Sequence, residues 1–232
     1  MTQEIGRFSR IIWLLFAIDI TLSVVYAVNW WAGEPYFFIT QFVSLDFERT
    51  IPAWYSSVKY AVLSLALFAL WLVPGANQRR AQAMFLLALL VMLMSMDEAV
   101  SGHERVGILF IKLMTEYVDP NTQDLRSGYW PFIVGLPAIA VFAVILRQLY
   151  HHTADVRAAQ LKFVAGMVIL MVGAVGMELA LNILPPSAAD FYEPLVEETL
   201  EMLGVTMMLW GALNALDDRG VRLAPRLDPN PR

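Results

Sequence analysis

The residues best suited to chemistry are four ionisable side chains that end an apolar segment. Asp97, Glu98, His103 and Glu104 fall within eight positions, directly after the apolar run Ala81–Met96. Charged groups so close to a bilayer are costly and commonly mark a functional site. Carboxylate oxygens with one imidazole nitrogen suit Mn²⁺, Fe²⁺, Zn²⁺, Mg²⁺ or Ca²⁺. This stretch therefore predicts a site for a divalent cation.

Three carboxylates in the last third of the chain are expected to join this site. Glu198 and Glu201 are three residues apart, which places them on one side of a helix. Glu178 follows two glycines, Gly173 and Gly176, where a neighbouring helix can come close. A divalent metal ion would relieve the repulsion among so many carboxylates. The predicted metal ligands are Asp97, Glu98, His103, Glu104, Glu178, Glu198 and Glu201.

Two further acids next to this group have a simpler interpretation. Pro194 suits a first helical turn, with Asp190 in the region of the N-cap. Glu193 and Glu197 then lie where the helix dipole favours negative charge. We expect a structural role for these two residues, whereas Glu201 lies a turn deeper and is followed by apolar residues.

Composition places the chain among membrane proteins. Of its 232 residues, 58% are hydrophobic and 16% are charged, against about 25% charged in soluble domains. The chain contains no Cys, which excludes disulfides, thiolate catalysis and iron–sulfur clusters. With three His residues, it cannot hold a histidine-rich di-iron or copper centre.

Six apolar segments are long enough to cross a bilayer, which needs about 20 residues each. The predicted fold is therefore an all-α, polytopic membrane protein with one six-span domain, residues 1–216. The predicted spans are Ile11–Trp31, Trp54–Val73, Ala81–Val100, Pro131–Tyr150, Leu161–Leu184 and Leu195–Leu216.

The distribution of basic residues predicts the orientation in the membrane. Six spans put both termini on one side, and that side carries eleven of the sixteen Lys and Arg residues. By the positive-inside rule, both termini are cytoplasmic and the protein belongs to the cell inner membrane. Both acidic groups then lie at the outer face. The basic residues on the outer face are Arg49, Lys59, Arg105, Lys112 and Arg126.

Two segments outside the spans have their own patterns. Between the third and fourth spans, apolar residues of His103–Val118 repeat at helical spacing, which predicts an amphipathic helix on the outer headgroups. Trp130 is assigned to the outer aromatic belt. The proline-containing tail, residues 217–232, is predicted to be a disordered cytoplasmic segment.

Asp19 is a single carboxylate near the middle of the first span. Such a group either relays protons or is hydrogen-bonded inside the bundle, and both interpretations stay open. Lys59 and Lys162 are placed near span ends, which argues against a mid-span Schiff base. His151 and His152 are interpreted as a solvated surface, and the helical positions of Met92, Met94 and Met96 indicate packing rather than copper binding.

Several enzyme classes are excluded by their missing motifs. The chain has no His-Glu-x-x-His sequence for a zinc protease and no Gly-x-Ser-x-Gly nucleophile elbow. It also lacks the Glu-x-x-His pairs of di-iron bundles. Hydrolytic chemistry would therefore have to come from the predicted metal site.

The leading hypothesis is a cation-binding integral inner-membrane protein. A metal-dependent lipid-active enzyme, in which the metal activates water, predicts a lateral opening between spans. A cation- or proton-coupled carrier predicts a polar path inward, for which Asp19 is the candidate. The alternative is a structural or assembly subunit of a membrane complex whose acids meet a basic partner. Expected partners are the lipid bilayer and either another membrane protein or a second copy of the chain, with no nucleic acid.

Overall fold

The computed structural model describes residues 9–47, 49–73, 78–114, 129–152, 156–183 and 186–221, and these residues form helices without strands. Two π-helical segments, Pro131–Gly135 and Val172–Met177, directly precede the α-helices that begin at Leu136 and Glu178. The α-helices are α1 (Ser9–Trp31), α2 (Phe37–Phe42), α3 (Ile51–Trp71), α4 (Gln78–Val100), α5 (Gly102–Met114), α6 (Leu136–His152), α7 (Arg157–Met171), α8 (Glu178–Ala180) and α9 (Pro186–Asp218).

Six helical segments among the described residues are long and apolar enough to span a membrane, so the predicted all-α, six-span fold is confirmed. Side chains such as Ile11, Trp13 and Leu14 of α1 are more than half exposed, as expected for helices that contact lipid. The spans are Ser9–Trp31, Ile51–Trp71, Gln82–Val100, Pro131–Gln148, Arg157–Ala180 and Phe191–Asp218.

The last helix, α9, is the centre of the bundle. It packs against α1, α3 and α7. Met202, Val205 and Met208 of this helix are fully buried. Because α9 touches three other spans, the positions of its polar residues decide where polar groups meet inside the protein.

Glycines allow α7 and α9 to pack backbone against backbone. A Cβ atom on Gly166 would lie 2.5 Å from the carbonyl oxygen of Gly204, and one on Gly204 would lie 2.7 Å from the amide nitrogen of Leu170. No side chain fits at either position. Small residues serve this purpose in membrane helix pairs, where close packing replaces the hydrophobic effect.

The structure corrects the predicted start of the sixth span. The apolar span begins at Phe191 instead of Leu195. The helix itself begins at Pro186, so Pro194, predicted in the first turn, lies inside it. Asp190 is accordingly a helical residue and not part of an N-cap. A hydropathy pattern misses this extension because residues 186–194 are mostly small or polar. Pro194 removes one backbone hydrogen bond, a loss that packed membrane helices tolerate.

Three predicted peripheral features are described only in part. α5 covers most of the predicted amphipathic helix, and Val106, Leu109 and Leu113 on it are exposed; residues 115–118 lie outside the described residues. In the predicted tail, the helix continues to Asp218, and residues 222–232 lie outside the described residues. His151 and His152 end α6, but their side chains are not among those described.

Candidate functional site

A cavity of about 310 Å³ opens among α3, α4, α6, α7 and α9 at the end of the bundle where α4 meets α5. Acidic side chains from distant parts of the sequence line it together, so the predicted meeting of the two acidic groups is confirmed. The carboxylates in its wall are Asp46, Asp97, Glu98, Glu178, Glu193, Glu197, Glu198 and Glu201.

A sharp corner between α4 and α5 positions His103. Ser101 takes a left-handed backbone conformation with a φ of 51°, which is uncommon for a residue with a side chain. The Asp97 carboxylate then accepts a hydrogen bond from the backbone N–H of His103 at 2.8 Å, and its other oxygen lies 2.7 Å from His103 Nδ1. A Cβ atom on Gly102 would lie 2.7 Å from Asp97 Oδ1, so a larger residue there would displace the Asp97 carboxylate from its present position.

Three glutamates in the cavity converge closely enough to hold one ion. Single carboxylate oxygens from Glu178, Glu193 and Glu197 all lie within 4.8 Å of one another. Glu197 Oε2 is buried without a hydrogen-bond partner among the described residues. Burying an oxygen acceptor without a donor is costly. Among the described residues, these three glutamates are therefore the ones whose geometry could hold a metal ion.

Trp130 fixes the position of Glu178. Its indole Nε1–H donates a hydrogen bond to Glu178 Oε1 at 2.9 Å, and its ring centroid lies 4.5 Å from that of His103. Trp130 is 9% exposed. The sequence places Trp130 in the outer aromatic belt, whereas the structure buries its side chain in the bundle, where its N–H donates to a carboxylate of the cavity wall.

Both π-helical segments border the cavity. Pro131–Gly135 directly follows Trp130, and Val172–Met177 directly precedes Glu178. A π-helical turn contains more residues than an α-helical turn and often occurs at functional sites. Gly173, in the second segment, brings the chain against α9, since a Cβ atom there would lie 2.9 Å from the carbonyl oxygen of Glu197. This close approach sets Glu178 beside the α9 glutamates.

The remaining predicted ligands have distinct surroundings. Glu201 accepts a hydrogen bond from the hydroxyl group of buried Tyr60 at 3.5 Å. Glu98 and Glu198 line the same cavity. Glu104 lies in α5, and its side chain is not among those described. Metal ligation by the seven predicted residues stays a prediction.

Glu193 and Glu197 are site residues that the sequence interpretation assigned to the helix dipole. Because α9 begins at Pro186, Glu193 lies about 10 Å into the helix at 1.5 Å per residue. The dipole effect falls off within the first turn, so it does not explain these acids. Their four-residue spacing was the available signal, since it places both on one side of α9.

Asp19 forms a buried ion pair with Lys59. The two side chains are 0% and 3% exposed, and Lys59 Nζ lies 2.7 Å from Asp19 Oδ1. Thr206 donates a hydrogen bond to Asp19 Oδ2 at 2.7 Å, and Lys59 also donates to the carbonyl oxygen of Met202 at 2.9 Å. Lys59 therefore lies inside the bundle, not near a span end. Proton relay by Asp19 stays a prediction.

Comparison with known proteins gives a family. A domain of unknown function, DUF8692, matches residues 13–215. The chain belongs to this family. The DUF8692 match includes the buried Asp19–Lys59 pair and every carboxylate in the cavity wall. No curated protein and no solved structure matches the chain.

Proposed function

We propose that this DUF8692 protein binds a divalent cation in the acidic cavity, with Glu178, Glu193 and Glu197 as its nearest ligands. The convergence of these three carboxylates around one point carries the proposal. The buried, unpartnered Glu197 Oε2 supports it, because a cation would supply the missing interaction.

The ligand chemistry favours a hard cation. Three carboxylates offer oxygen alone, which suits Mg²⁺, Ca²⁺ or Mn²⁺. Nδ1 of His103 is held by Asp97 at 2.7 Å. A carboxylate at one ring nitrogen commonly orients a metal-ligating imidazole, so His103 stays among the predicted ligands.

The other acids of the predicted ligand set surround this centre. Asp97, Glu98, Glu198 and Glu201 line the same cavity. In this proposal they bind water molecules that are coordinated to the cation, or they coordinate the cation directly. Glu104 stays a predicted ligand. They also make the cavity strongly negative, which concentrates cations near the site.

A cation that stays bound in the cavity is better supported than a cation that is carried across the membrane. Buried side chains of α3, α4 and α9 form one apolar core, which includes Leu63, Leu67, Val91 and Met208. A carrier needs a polar path through the bundle, and Asp19 is paired with Lys59 instead of being open to an ion. We therefore favour a metal-dependent, lipid-active enzyme over a carrier, in the inner membrane with cytoplasmic termini.

Metal analysis and isothermal calorimetry of the purified, detergent-solubilised protein test the proposal. Wild-type protein should bind one Ca²⁺, Mg²⁺ or Mn²⁺ ion per chain. Glu178→Gln and Glu197→Gln should each weaken binding by roughly tenfold or more, which corresponds to about 1.4 kcal/mol. Asp217→Asn, an exposed acid at the far end of α9, is the control and should bind normally. Wild-type-like binding in both Gln variants would refute the proposal.

A further inference from the structure

The wall of the acidic cavity has two chemically different parts. One part carries the carboxylates described above. The other is apolar and comes from three helices and the π-helical segment after α7: Met94, Ala138, Phe142, Met171, Ala174 and Val175. A site for a bare hydrated ion does not need such a surface, whereas a ligand with a hydrocarbon part does.

The apolar part of the cavity reaches deep into the membrane-spanning region. Phe142 follows Pro131, the first residue of its span, by eleven positions, which corresponds to about 16 Å at 1.5 Å per residue. The hydrocarbon core of a bilayer is about 30 Å thick. The cavity thus runs from the membrane surface to about its middle. Glu201 follows Phe191, the first residue of its own span, by ten positions, so the acidic and apolar parts of the wall lie side by side at similar depth.

The charge of the cavity limits what the polar end of such a ligand can be. The wall holds eight carboxylates, and His103, paired with Asp97, is the basic residue in its lining. Among the described residues that line the cavity, none is a Lys or Arg that could pair with an anionic headgroup. A phosphate or carboxylate headgroup would be repelled there, and an ammonium headgroup would be attracted.

An exposed aromatic side chain lines the cavity, and three more lie shortly before it in the chain. Phe37, Phe38 and Phe42 of α2 are each about half or more exposed, and Phe47, also exposed, lines the cavity itself. Aromatic residues favour the interface between headgroups and hydrocarbon. Because Phe47 lies in the cavity lining, the cavity itself offers an aromatic contact of this kind.

We propose that the acidic cavity takes a single-chain amphiphile with an ammonium headgroup, its head beside Glu98, Glu198 and Glu201 and its chain against Phe142 and Met171. This substrate class rests on the proposed function, in which the cation occupies the neighbouring glutamates. The amphiphile and the metal ion thus use adjacent parts of one cavity.

A brominated probe tests the proposal, because bromine quenches tryptophan fluorescence on contact and Trp130 lines the cavity. The detergent-solubilised full chain, saturated with Ca²⁺, is titrated with 6-bromoundecylammonium or with 6-bromoundecanoate, whose bromine lies nearer to the headgroup and to Trp130 than a terminal bromine would. The Trp130 signal is the difference between the wild type and Trp130→Phe. We expect saturable quenching, with the ammonium probe binding at least tenfold more tightly than the carboxylate probe.

Substitutions in α6 locate the chain of the probe. Ala138 lines the apolar wall, and Ala138→Trp should weaken the ammonium probe at least tenfold while Ca²⁺ binding persists. Ala140→Trp, at an exposed position of the same helix, should leave both unchanged. If Ala138→Trp does not fold, Ala174→Phe, on the opposite wall, gives the same test.

The outcomes separate this proposal from the metal site. Equal or tighter binding of the carboxylate probe overturns the amphiphile proposal, as does the absence of Trp130 quenching. Failure of Ca²⁺ to bind, with preferential ammonium quenching intact, overturns the metal site and leaves the amphiphile site standing. Retained ammonium binding in both wall-filling variants places the probe elsewhere and also overturns the proposal.

Discussion

Lys59 of α3 and Asp19 of α1 form an ion pair of 2.7 Å in the interior of the bundle. Thr206 of α9 completes it through hydrogen bonds to both partners. Three spans are therefore joined by one polar group beside Met202, next to the acidic stretch of α9. Because its carboxylate oxygens both have partners, this group is expected to stabilise the bundle.

Removing one member of this pair should destabilise the protein. Asp19→Asn leaves the Lys59 ammonium buried without its counter-ion, a loss of about 3–5 kcal/mol for typical buried pairs. The apparent Tm in detergent, followed by circular dichroism, should fall sharply. Asp19→Leu combined with Lys59→Met should recover most of the loss, because an apolar replacement leaves no buried charge. A double variant as unstable as the single one would contradict this account.

The contact between α7 and α9 should not tolerate a methyl group at Gly166. A Cβ atom there meets the backbone of α9 at 2.5–2.6 Å, and overpacking of this kind costs about 1–3 kcal/mol. Gly176→Ala is the matched control, since its new Cβ atom meets nothing closer than 3.8 Å. Thermal unfolding in detergent should separate the two variants, and equal Tm values would show that the helices can move apart freely.

The corner between α4 and α5 gives two opposite expectations. Ser101→Gly removes the strain of a positive φ, at 51°, and should stabilise the protein by about 1 kcal/mol. Gly102→Ala adds an atom 2.7 Å from Asp97 Oδ1 and should destabilise it by a similar amount or more. Thermal unfolding of both variants measures the difference. Identical effects of the two substitutions would mean that the corner is not the rigid element described.

Trp130 should report on cation binding through its fluorescence. Its indole N–H donates a hydrogen bond to Glu178 Oε1 at 2.9 Å. A cation that is coordinated by Glu178 should therefore change the environment of the indole ring. Titration with Ca²⁺ should shift the emission of the wild type and leave that of Trp130→Phe nearly unchanged. Trp31→Phe, an exposed tryptophan of α1, is the control and should keep the shift.

Much of the architecture follows from the sequence because lipid imposes a simple rule. Every backbone polar group in hydrocarbon must be satisfied within its own helix, so six long apolar segments predict six helices. The acids of α4 and α9 line one cavity, as predicted, because both groups lie near helix ends at the same side of the membrane. Asp97 and His103 come together across a corner whose glycine, Gly102, is visible in the sequence.

The convergence of Glu178, Glu193 and Glu197 was harder to predict because it depends on the direction in which each side chain leaves its helix. Glu193 and Glu197 looked like residues of a first turn, since nothing in the hydropathy pattern reveals that α9 starts at Pro186. The π-helical turn before Glu178 shifts that residue relative to an ideal helix. The partner of Asp19 was also missed, because Lys59 lies two turns inside a helix that begins at Ile51.

Electron paramagnetic resonance of Mn²⁺ tests the central claim most directly, because free Mn²⁺ gives a six-line spectrum that is lost on binding. Titration of the purified protein should show one tightly bound ion per chain. The Glu178→Gln, Glu193→Gln, Glu197→Gln triple variant should bind none at the same concentrations, while Asp217→Asn should match the wild type. Undiminished Mn²⁺ binding by a folded triple variant would contradict the assignment of these three glutamates as ligands.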